Sequence, residues 1–483
     1  MQNTIGIIPA QGYKPKNKTS VKAAKWLRYR AERDNVFIQH AHNQGEKKIG
    51  KFVVDGWAST TNTVYEYQGC FWHGCPKCYN SYNINNVNLM TMGELLERTV
   101  DKKHALQSLG FNYIEVWECE FDRVIREDAG VKEIVDSVNV VDCIDPREAF
   151  YGGRTNAVKL FCQADQGQKI RYIDVCSLYP YVNKYKPYPL CHPTIITENF
   201  GPLSEYEGLV KCTILPPHGL YHPVLPYRSQ GKLTFPLCRT CADTLQQSRC
   251  EHNDEERCMT GTWVTVELKK AVSKGYVIKQ MHEVWHYDHV SEYNPITKTG
   301  GLFSDYINTF LKLKQEASGY PPECTTPQLK RDYIASYFTK EGIRLDPNQI
   351  KKNPGLRALS KLMLNSFWGK FGQRMNMTQS EYVTEVDEYF ALLLNKSVDV
   401  TNVMFLTDDM VEVHYKHQSE FNECSDKTNV VIAAYTTAHA RMVLYSAIEV
   451  LDRNVLYFDT DSIIFLDDGS AQTNAYLNTI MGI

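Results

Sequence analysis

The chain has 483 residues, of which 43% are apolar and 23% charged, and its net charge is −3. This composition is typical of a soluble globular protein with room for two or three domains, and it gives no global indication of nucleic-acid binding. The sequence lacks a run of about 18 apolar residues, which argues against a transmembrane helix or a membrane partner, and its start lacks the order of regions found in a signal peptide.

The 15 cysteines occur mostly in CxxC clusters or singly in apolar strands. In a chain of this size that pattern favours metal sites and reduced thiols over disulfides. We therefore expect an intracellular, reducing compartment, without distinguishing nucleus, cytoplasm and mitochondrion. Charge is local rather than global: residues 14–33 and 351–374 are both rich in Lys and Arg, and a solvated helix face is the alternative reading of each.

In the N-terminal third of the chain, the sequence predicts a small sheet that carries acidic residues. Asp55 follows a short apolar strand, and a second strand, TVYEYQ, carries Glu66 and Gln68. A helix is predicted over 91–111 and a further strand over 113–121. This order of acid, strand, acid, helix and strand is the outline of a restriction-endonuclease-like α/β domain, which we place at 1–140.

The stretch GCFWHGCPKC, with a later WEC, resembles the very-short-patch-repair endonucleases. The resemblance implies a catalytic role for Asp55, a phosphate contact for His73 and a DNA wedge at Trp72. Gln68 stands where that family has histidine, so both an active nuclease and a structural or DNA-holding module stay open. The resemblance also implies a zinc site, in which Cys75 replaces a family histidine, formed by Cys70, Cys75, Cys78 and Cys119.

The strand IRYID ends at a third acid, Asp174, and then leads through a turn to an aromatic segment.

Further along, residues 237–258 form a cysteine cluster inside the same region. A CxxC followed by CxH is good spacing for a closed, structural zinc site. We predict ligation by Cys238, Cys241 and Cys250, with either His252 or Cys258 as the fourth ligand.

The second basic stretch contains the helix GLRALSKLMLNSFWGKFG, in which Arg357, Lys361 and Asn365 recur every four residues and share one face. Two cations and an amide in line suit a chain of phosphates. Gly369 allows close approach at the helix end. We expect Leu359, Leu362, Met363 and Phe367 to fall on other faces and pack; an amphipathic surface helix is the alternative.

Near the end, VLYFDTDSI predicts a β-hairpin whose tip carries Asp459 and Asp461. Carboxylates are costly in a sheet unless something neutralises them. With Asp174 nearby they would repel one another, and two Mg²⁺ ions would relieve that repulsion and support attack of a hydroxyl on phosphorus.

In this order, DVCSLYP, KLMLNSFWG and YFDTDS resemble motifs A, B and C of family B DNA polymerases, most closely the protein-primed branch of phages, adenoviruses, linear plasmids and Polinton/Maverick elements. AFYGGRTNA at 149–157 resembles the YxGG segment of that branch, and the resemblance covers about 145–470. It implies Mg²⁺ ligands at Asp174, Asp461 and the Val175 carbonyl, with Asp459 close by.

The same resemblance implies a dNTP site. Tyr179 would exclude a 2′-hydroxyl and Asn365 would lie at the nascent base pair. The triphosphate would be held by Lys361 and Arg357, helped by Lys314. Trp368 departs from the tyrosine usual in this motif, and we expect it to be tolerated. The partners implied are a DNA primer-template, dNTPs and a terminal priming protein.

The predicted fold is α+β and multidomain. After the N-terminal domain we expect a right-hand palm with an antiparallel sheet (141–300), helical fingers (301–374), an insertion resembling a strand-displacement element (375–428) and the rest of the palm (429–483). We expect a fragment lacking the exonuclease and thumb. The alternatives are an inactive, DNA-binding relic and a nuclease whose palm only positions DNA; a reverse transcriptase, with its YxDD motif, fits less well.

Overall fold

The computed structural model describes residues 5–9, 13, 20–41, 46–85, 87–137, 143–374, 376–395, 397–417 and 428–481, and the fold is mixed α+β. The chain divides into two compact units. One comprises residues 1–8, 143–373 and 426–483, and the other residues 9–142 and 374–425. Residues 14–19 of the basic stretch at 14–33 lie outside the described residues, as do parts of the insertion predicted at 375–428. Among the described helices, none is long and apolar enough to cross a membrane.

The N-terminal part of the chain is built on a four-stranded sheet of order β1-β4-β5-β6, in which only β5 and β6 are parallel. Helix α3 connects these two strands and starts at a capping box of Thr91 and Glu94. The elements are α1 (Val21–Arg33), β1 (Gln39–His40), β2 (Lys47–Ile49), β3 (Phe52–Val54), β4 (Gly56–Ala58), β5 (Thr63–Gln68), α2 (Cys70–His73), α3 (Met92–Ser108), β6 (Asn112–Trp117), α4 (Glu118–Glu127) and α5 (Ala129–Ser137).

The strand predicted over 113–121 was too long. It ends at Trp117, and Glu118 begins α4, which buries Phe121 in a core formed with Trp26, Tyr65 and Tyr67. The alternating pattern of 113–117 therefore runs directly into a helix whose first turn is acidic, as the positive end of a helix favours.

The middle of the chain adds a second sheet, of order β10-β15-β11-β14, and three long helices, α10 to α12. Its elements are β7 (Thr155–Ala157), β8 (Lys169–Asp174), α6 (Leu178–Tyr185), β9 (Tyr188–Pro189), β10 (Thr194–Ile196), β11 (Gly208–Leu215), β12 (Tyr227–Ser229), β13 (Lys232–Thr234), α7 (Arg239–Asp243), α8 (Asp254–Arg257), β14 (Met259–Val264), α9 (Thr265–Ser273), β15 (Val277–His286), β16 (Val290–Ser291), β17 (Tyr293–Asn294), β18 (Thr299–Gly300), α10 (Ser304–Glu316), α11 (Pro327–Glu341) and α12 (Pro354–Phe371).

Two further groups of elements follow. A three-stranded antiparallel sheet with one helix is formed by β19 (Gln379–Val383), α13 (Val386–Leu394), β20 (Val398–Thr407) and β21 (Met410–His417). The last group is α14 (Val430–Leu451), β22 (Val455–Asp459), β23 (Ser462–Asp467) and α15 (Ala471–Met481).

The sheet β7-β22-β23-β8 positions the acids, and all its pairings are antiparallel. Its core face carries Phe458, Ile463 and Phe465, which pack with residues of α14. Helix α14 is buried along most of its length. Helix α14 therefore packs against the core face of the sheet, and polar residues occupy the end of the sheet that carries the hairpin turn.

Candidate active site

The acidic hairpin tip joins β22 to β23, where Asp459 pairs with Ser462 and two residues form the turn. Thr460 adopts a φ of 54°. The amide of Asp461 donates a hydrogen bond of 2.5 Å to the carbonyl of Asp459. Asp459 is exposed and Asp461 half-buried. The hairpin predicted from VLYFDTDSI is present, and its acids lie at the turn rather than inside the sheet.

Asp174 ends β8 and stands opposite Ser462 in the neighbouring strand. The amide of Val175 donates to the carbonyl of Asp461 over 2.8 Å, so the turn after β8 is tied to the tip. The side chains of Asp174 and Asp461 line one cavity of about 550 Å³. The structure thus brings together the acids of two distant sequence motifs.

The electrostatics of this tip fit a divalent cation. Burial raises the pKa of Asp461, and the negative charges of Asp174 and Asp459 raise it further. Carboxylates that repel one another at a cavity wall are the oxygen donors that Mg²⁺ prefers. The donor set therefore suits the ions that the sequence predicts.

Basic side chains line the same cavity. Arg357, Lys361 and Asn365 all face it from α12, and Lys314 joins them from α10. The Nε of Arg357 donates to Ser318 over 3.1 Å. Burial lowers the pKa of Lys314, and the charges of Arg357 and Lys361 lower it further. Cations that repel one another, placed beside an acidic tip, form a binding site for a polyanion that binds together with a divalent metal ion.

The packing predicted for α12 is partly wrong. Leu359 and Leu362 are 54% and 60% exposed, whereas Leu364 and Ser360 are buried. Phe367 makes the main apolar contact, stacking on Tyr306 with ring centroids 4.1 Å apart. The helix contacts the protein along a narrower stripe than its sequence indicates.

Tyr179 and Trp368 form the aromatic wall of the cavity. Their rings are stacked with centroids 4.6 Å apart at 24°. Phe150 meets Trp368 edge-on at 6.2 Å. Burial raises the pKa of Tyr179 above its usual value, so its hydroxyl stays protonated. Trp368 therefore stacks on Tyr179, the residue to which the family resemblance assigns sugar selection.

One functional element was only partly anticipated. Residues 148–155, here called the backing segment, lie directly against the acidic tip. The amide of Thr460 donates to the carbonyl of Arg154 over 2.9 Å, and Thr155 Oγ1 donates to Asp459 Oδ1 over 2.8 Å. A Cβ added at Gly153 would lie 2.6 Å from Thr460 Oγ1. The GG pair in the sequence was a signal of this close approach.

The cysteine cluster at 237–258 has interatomic distances that fit a tetrahedral site. The Nδ1 of His252 lies 3.5 Å from Cys238 Sγ, 3.3 Å from Cys241 Sγ and 3.5 Å from Cys250 Sγ. A tetrahedral zinc with ordinary bond lengths separates a sulfur and a nitrogen ligand by about 3.6 Å. Cys258 is not part of this group. Of the two fourth ligands left open by the sequence, the geometry selects His252.

The four cysteines of the N-terminal part also come together, with all ligand atoms within 4.8 Å of one another. Cys75 Sγ and Cys119 Sγ are 3.9 Å apart, and the edge of a tetrahedral zinc–thiolate site is about 3.8 Å. Cys70 follows the end of β5 and Cys119 the end of β6. A metal here would join the ends of the two parallel strands.

Two predicted nuclease acids face each other near the same strands. Asp55 Oδ2 accepts the amide of Tyr67 over 2.8 Å. Glu66 is 2% exposed; burial and the charge of Asp55 raise its pKa to about 8. Burial raises the pKa of Asp55 as well. Lys102, which the sequence reasoning missed, donates from Nζ to Glu66 over 2.8 Å and to the Val53 carbonyl over 2.9 Å.

The other predicted nuclease residues lie on the same strand and the short helix after it. Gln68 donates to the Tyr113 hydroxyl over 3.1 Å, and its buried Oε1 has no partner within the described part of the chain. His73 Nδ1 lies 3.1 Å from Thr99 Oγ1. Burial, followed by the charge of Lys102, lowers the pKa of His73 to about 4. The imidazole is therefore neutral at physiological pH.

A known protein family matches most of the larger of the two units. A model of the family described as DNA polymerase type B, organellar and viral, matches residues 143–324 and 325–451. A probable DNA polymerase of Podospora anserina is 23% identical over 343 residues, which cover 66% of this chain and 23% of the relative. The chain therefore spans about a quarter of that relative's length.

A different relative concerns a shorter stretch. The type II nicking enzyme V.NmeAIP of Neisseria meningitidis is 34% identical over 86 residues, which cover 17% of this chain and 61% of the relative. Among solved structures, Phi29 DNA polymerase with single-stranded DNA is 16% identical, with a TM-score of 0.37 over 66% of this chain and 41% of that one. Phi29 DNA polymerase with primer-template DNA and incoming nucleotides gives the same identity and TM-score over 66% and 42%.

Proposed function

The chain belongs to the DNA polymerase type B family of organelles and viruses, and from this premise we propose that it extends a DNA primer by template-directed addition of dNTPs. The sheet β7-β22-β23-β8 would serve as the palm and α10 to α12 as the fingers. The single observation that carries the proposal is the shared cavity, in which Asp174 and Asp461 face Arg357 and Lys361.

The residues divide the work of phosphoryl transfer. Asp174, Asp461 and the Val175 carbonyl would hold two Mg²⁺ ions. Bound there, the metal would lower the pKa of the primer hydroxyl and offset charge on the transferring phosphate. Arg357 and Lys361 would hold the triphosphate and neutralise the departing pyrophosphate, since charged hydrogen bonds to phosphate are the stronger kind.

Selection of the sugar would fall to Tyr179. Its ring lines the cavity that the acidic tip and the basic residues of α12 share, and it stacks on Trp368. A ring fixed at this place would clash with a 2′-hydroxyl, which favours dNTPs over rNTPs. Asn365, one turn beyond Lys361, would lie at the nascent base pair.

Primer extension tests this proposal directly. The full chain should extend a labelled primer-template with dNTPs and Mg²⁺, and Asp461→Asn should lower the rate by several orders of magnitude. Asp468→Asn, an exposed acid near the other end of β23, is the matched control and should retain wild-type extension. No extension by the wild-type chain, or equal extension by Asp461→Asn, would refute the proposal.

The family resemblance extends the proposal to protein priming and to the insertion. A hydroxyl of a terminal protein would replace the primer hydroxyl in the first step. The sheet β19-β21-β20 with α13 would correspond to the strand-displacement element. Incubation with a terminal protein, labelled dNTP and template should yield a protein–nucleotide adduct.

We also propose that each cysteine cluster holds a structural Zn²⁺. The spacings of the sulfur and nitrogen atoms support this, because they match the edges of a tetrahedral site. Four protein ligands leave no open position for a substrate.

A second activity, metal-dependent nicking of DNA, is favoured by the pairing of Asp55 and Glu66 beside Lys102. Two acids whose pKa values are raised by burial, that of Glu66 also by the charge of Asp55, would hold a divalent cation, and a lysine would stabilise charge on the scissile phosphate. Gln68, whose Oε1 is buried without a partner in the described residues, would add a neutral oxygen donor.

Plasmid nicking in Mg²⁺ or Mn²⁺ tests this second activity. Asp55→Asn should abolish nicking and leave primer extension unchanged, whereas Asp461→Asn should do the reverse. Nicking that persists in Asp55→Asn would assign the cleavage elsewhere. Absence of nicking in the wild-type chain, with DNA binding retained, would favour the DNA-holding alternative.

A further inference from the structure

Residues 148–154 of the backing segment are held by hydrogen bonds to their carbonyl oxygens, whereas Thr155 begins β7 and pairs with Asp459 of β22. Four of these carbonyls, at residues 148, 150, 151 and 152, accept hydrogen bonds from two arginine side chains. Carbonyl oxygens of irregular backbone need partners wherever water is excluded. The two arginines therefore determine where this backbone lies.

Arg441 holds the inner side of the segment. It reaches from α14, is 2% exposed, and donates from Nη1 to the carbonyls of Tyr151 at 2.9 Å and Gly152 at 2.7 Å. Its Nε and Nη2 donate to the two carboxylate oxygens of the buried Glu267 at 2.7 and 2.8 Å. The bidentate pair neutralises the guanidinium and fixes its orientation, so its remaining N–H groups are aimed rather than mobile.

Arg228 holds the outer side. It is exposed, donates to the Glu148 carbonyl over 3.1 Å and also to the Phe150 carbonyl. Its guanidinium lies over the ring of Tyr151, 4.5 Å from the centroid. The guanidinium groups of Arg441 and Arg228 therefore bind the segment from two sides.

The acidic tip rests on the part of the segment that follows. The Arg154 carbonyl accepts the amide of Thr460, and Thr155 Oγ1 donates to Asp459 Oδ1. Gly153 leaves no room for a side chain against Thr460. A shift of the carbonyls at 151 and 152 would therefore be transmitted within two residues to the turn that carries Asp461.

We propose that Arg441, assisted by Arg228, is a positioning residue for the metal-binding carboxylates: it fixes the backing segment, and the segment fixes the Asp459–Asp461 turn. The inference rests on the proposed function, because it assigns metal binding to that turn. It predicts that an arginine with no carboxylate of the tip among its contacts controls metal affinity at the tip. A purely structural role would change stability alone.

The test measures metal binding by the full chain without DNA or dNTP. Mn²⁺ is titrated and followed by electron paramagnetic resonance, and the binding lost in the Asp174→Asn/Asp461→Asn double variant defines the site. Arg441→Lys keeps a cation for Glu267 but cannot also bond both carbonyls. It should weaken this binding about tenfold or more, the usual effect of losing an outer-shell partner. Arg228→Met should weaken it by a smaller factor.

Two arginines away from the segment serve as controls. Arg257 is also 2% exposed and donates to the carbonyls of Pro216 and Pro217. Arg453 is exposed and lies over the ring of Tyr221. Arg257→Met and Arg453→Met should leave Mn²⁺ affinity unchanged even where they lower the melting temperature.

The outcomes separate the two claims. Wild-type Mn²⁺ affinity in folded Arg441→Lys and Arg228→Met would overturn the inference alone. If Arg441→Lys fails to fold by circular dichroism, Arg228→Met decides, since its side chain is at the surface. A wild-type chain whose Mn²⁺ binding is unaffected by the double aspartate substitution would overturn the proposed function, and this inference with it.

Discussion

Gly153→Ala tests how tightly the acidic tip is held. The added Cβ would lie 2.6 Å from Thr460 Oγ1, 3.0 Å from Cγ2 and 3.2 Å from Cβ. Rotation about the Cα–Cβ bond of the threonine could turn its hydrogen towards the new methyl group, but it would break the hydrogen bond from Thr460 Oγ1 to Asp459 Oδ1 and would leave Cβ in place. The turn itself therefore has to move, and we expect extension to slow without loss of fold.

The size of the effect follows from the geometry. Ordinary contact begins at 3.4 Å, so in its observed, hydrogen-bonded rotamer the Thr460 side chain has to retreat by about 0.8 Å, and its neighbours Asp459 and Asp461 move with it. A misplacement of about 1 Å at reacting groups costs on the order of 10²-fold in rate, which corresponds to about 2.7 kcal/mol in the barrier. We expect a loss of that order in kcat and little change in KM for dNTP, because Arg357 and Lys361 do not move.

Gly152→Ala is the matched control, since the nearest atom to its new Cβ would be 3.9 Å away. Single-nucleotide incorporation should be near wild type for this variant. Adding Thr460→Gly to Gly153→Ala removes the obstructing side chain and suits the φ of 54° at that position, so it should restore part of the rate. Equal rates for the two alanine variants would show that the backing segment does not constrain the tip.

Three further predictions concern separate parts of the molecule. Trp368→Ala should lower discrimination against rNTPs about 2- to 10-fold, as expected from the worth of an aromatic stack, whereas Trp368→Tyr should retain it; the ratio of kcat/KM for dNTP and rNTP measures this, and unchanged selectivity in the alanine variant contradicts it. Cys250→Ser should remove one zinc per chain and lower the melting temperature, while Cys258→Ser should retain full zinc content by elemental analysis; the reverse result would exchange the assigned ligands. His439 is buried and its pKa is lowered from 6.5 to about 4 by burial, so stability is present above pH 6.5 and is lost as pH falls towards 4, by about 3 kcal/mol; hydrogen exchange in α14 should show this slope in the wild type and not in His439→Gln, and parallel profiles would refute it.

The sequence predicted what depends on short patterns. Strand formers on both sides of two acids indicated a hairpin with the acids at its turn, and the structure has that hairpin at 455–467. The i, i+4 spacing placed Arg357, Lys361 and Asn365 on one face because helix geometry is local. Cysteine spacing predicted Cys238, Cys241 and Cys250 and left the fourth ligand open, whereas the N-terminal cysteine cluster was predicted only from a family resemblance.

What the sequence missed depends on distant neighbours. Lys102 is one of two adjacent lysines on α3, and only the fold brings it to Glu66. The bonds of Arg441 to a turn almost 300 residues earlier leave no periodic signal. The exposure of Leu359 and Leu362 is a tertiary property, because the same apolar residues would pack if another element covered them.

The pairing of β8 with β23 has a consequence for folding. Asp174 and Ser462 are direct neighbours in the sheet, yet the intervening chain forms a loop of about 290 residues, whose closure costs about 5 kcal/mol in entropy. Such non-local pairing is intrinsically slow. During synthesis Asp174 leaves the ribosome long before its partner strand exists, so the acid pair is assembled late. A nascent chain therefore lacks the pair of Asp174 and Asp461 with which the proposed polymerase site would bind a metal ion.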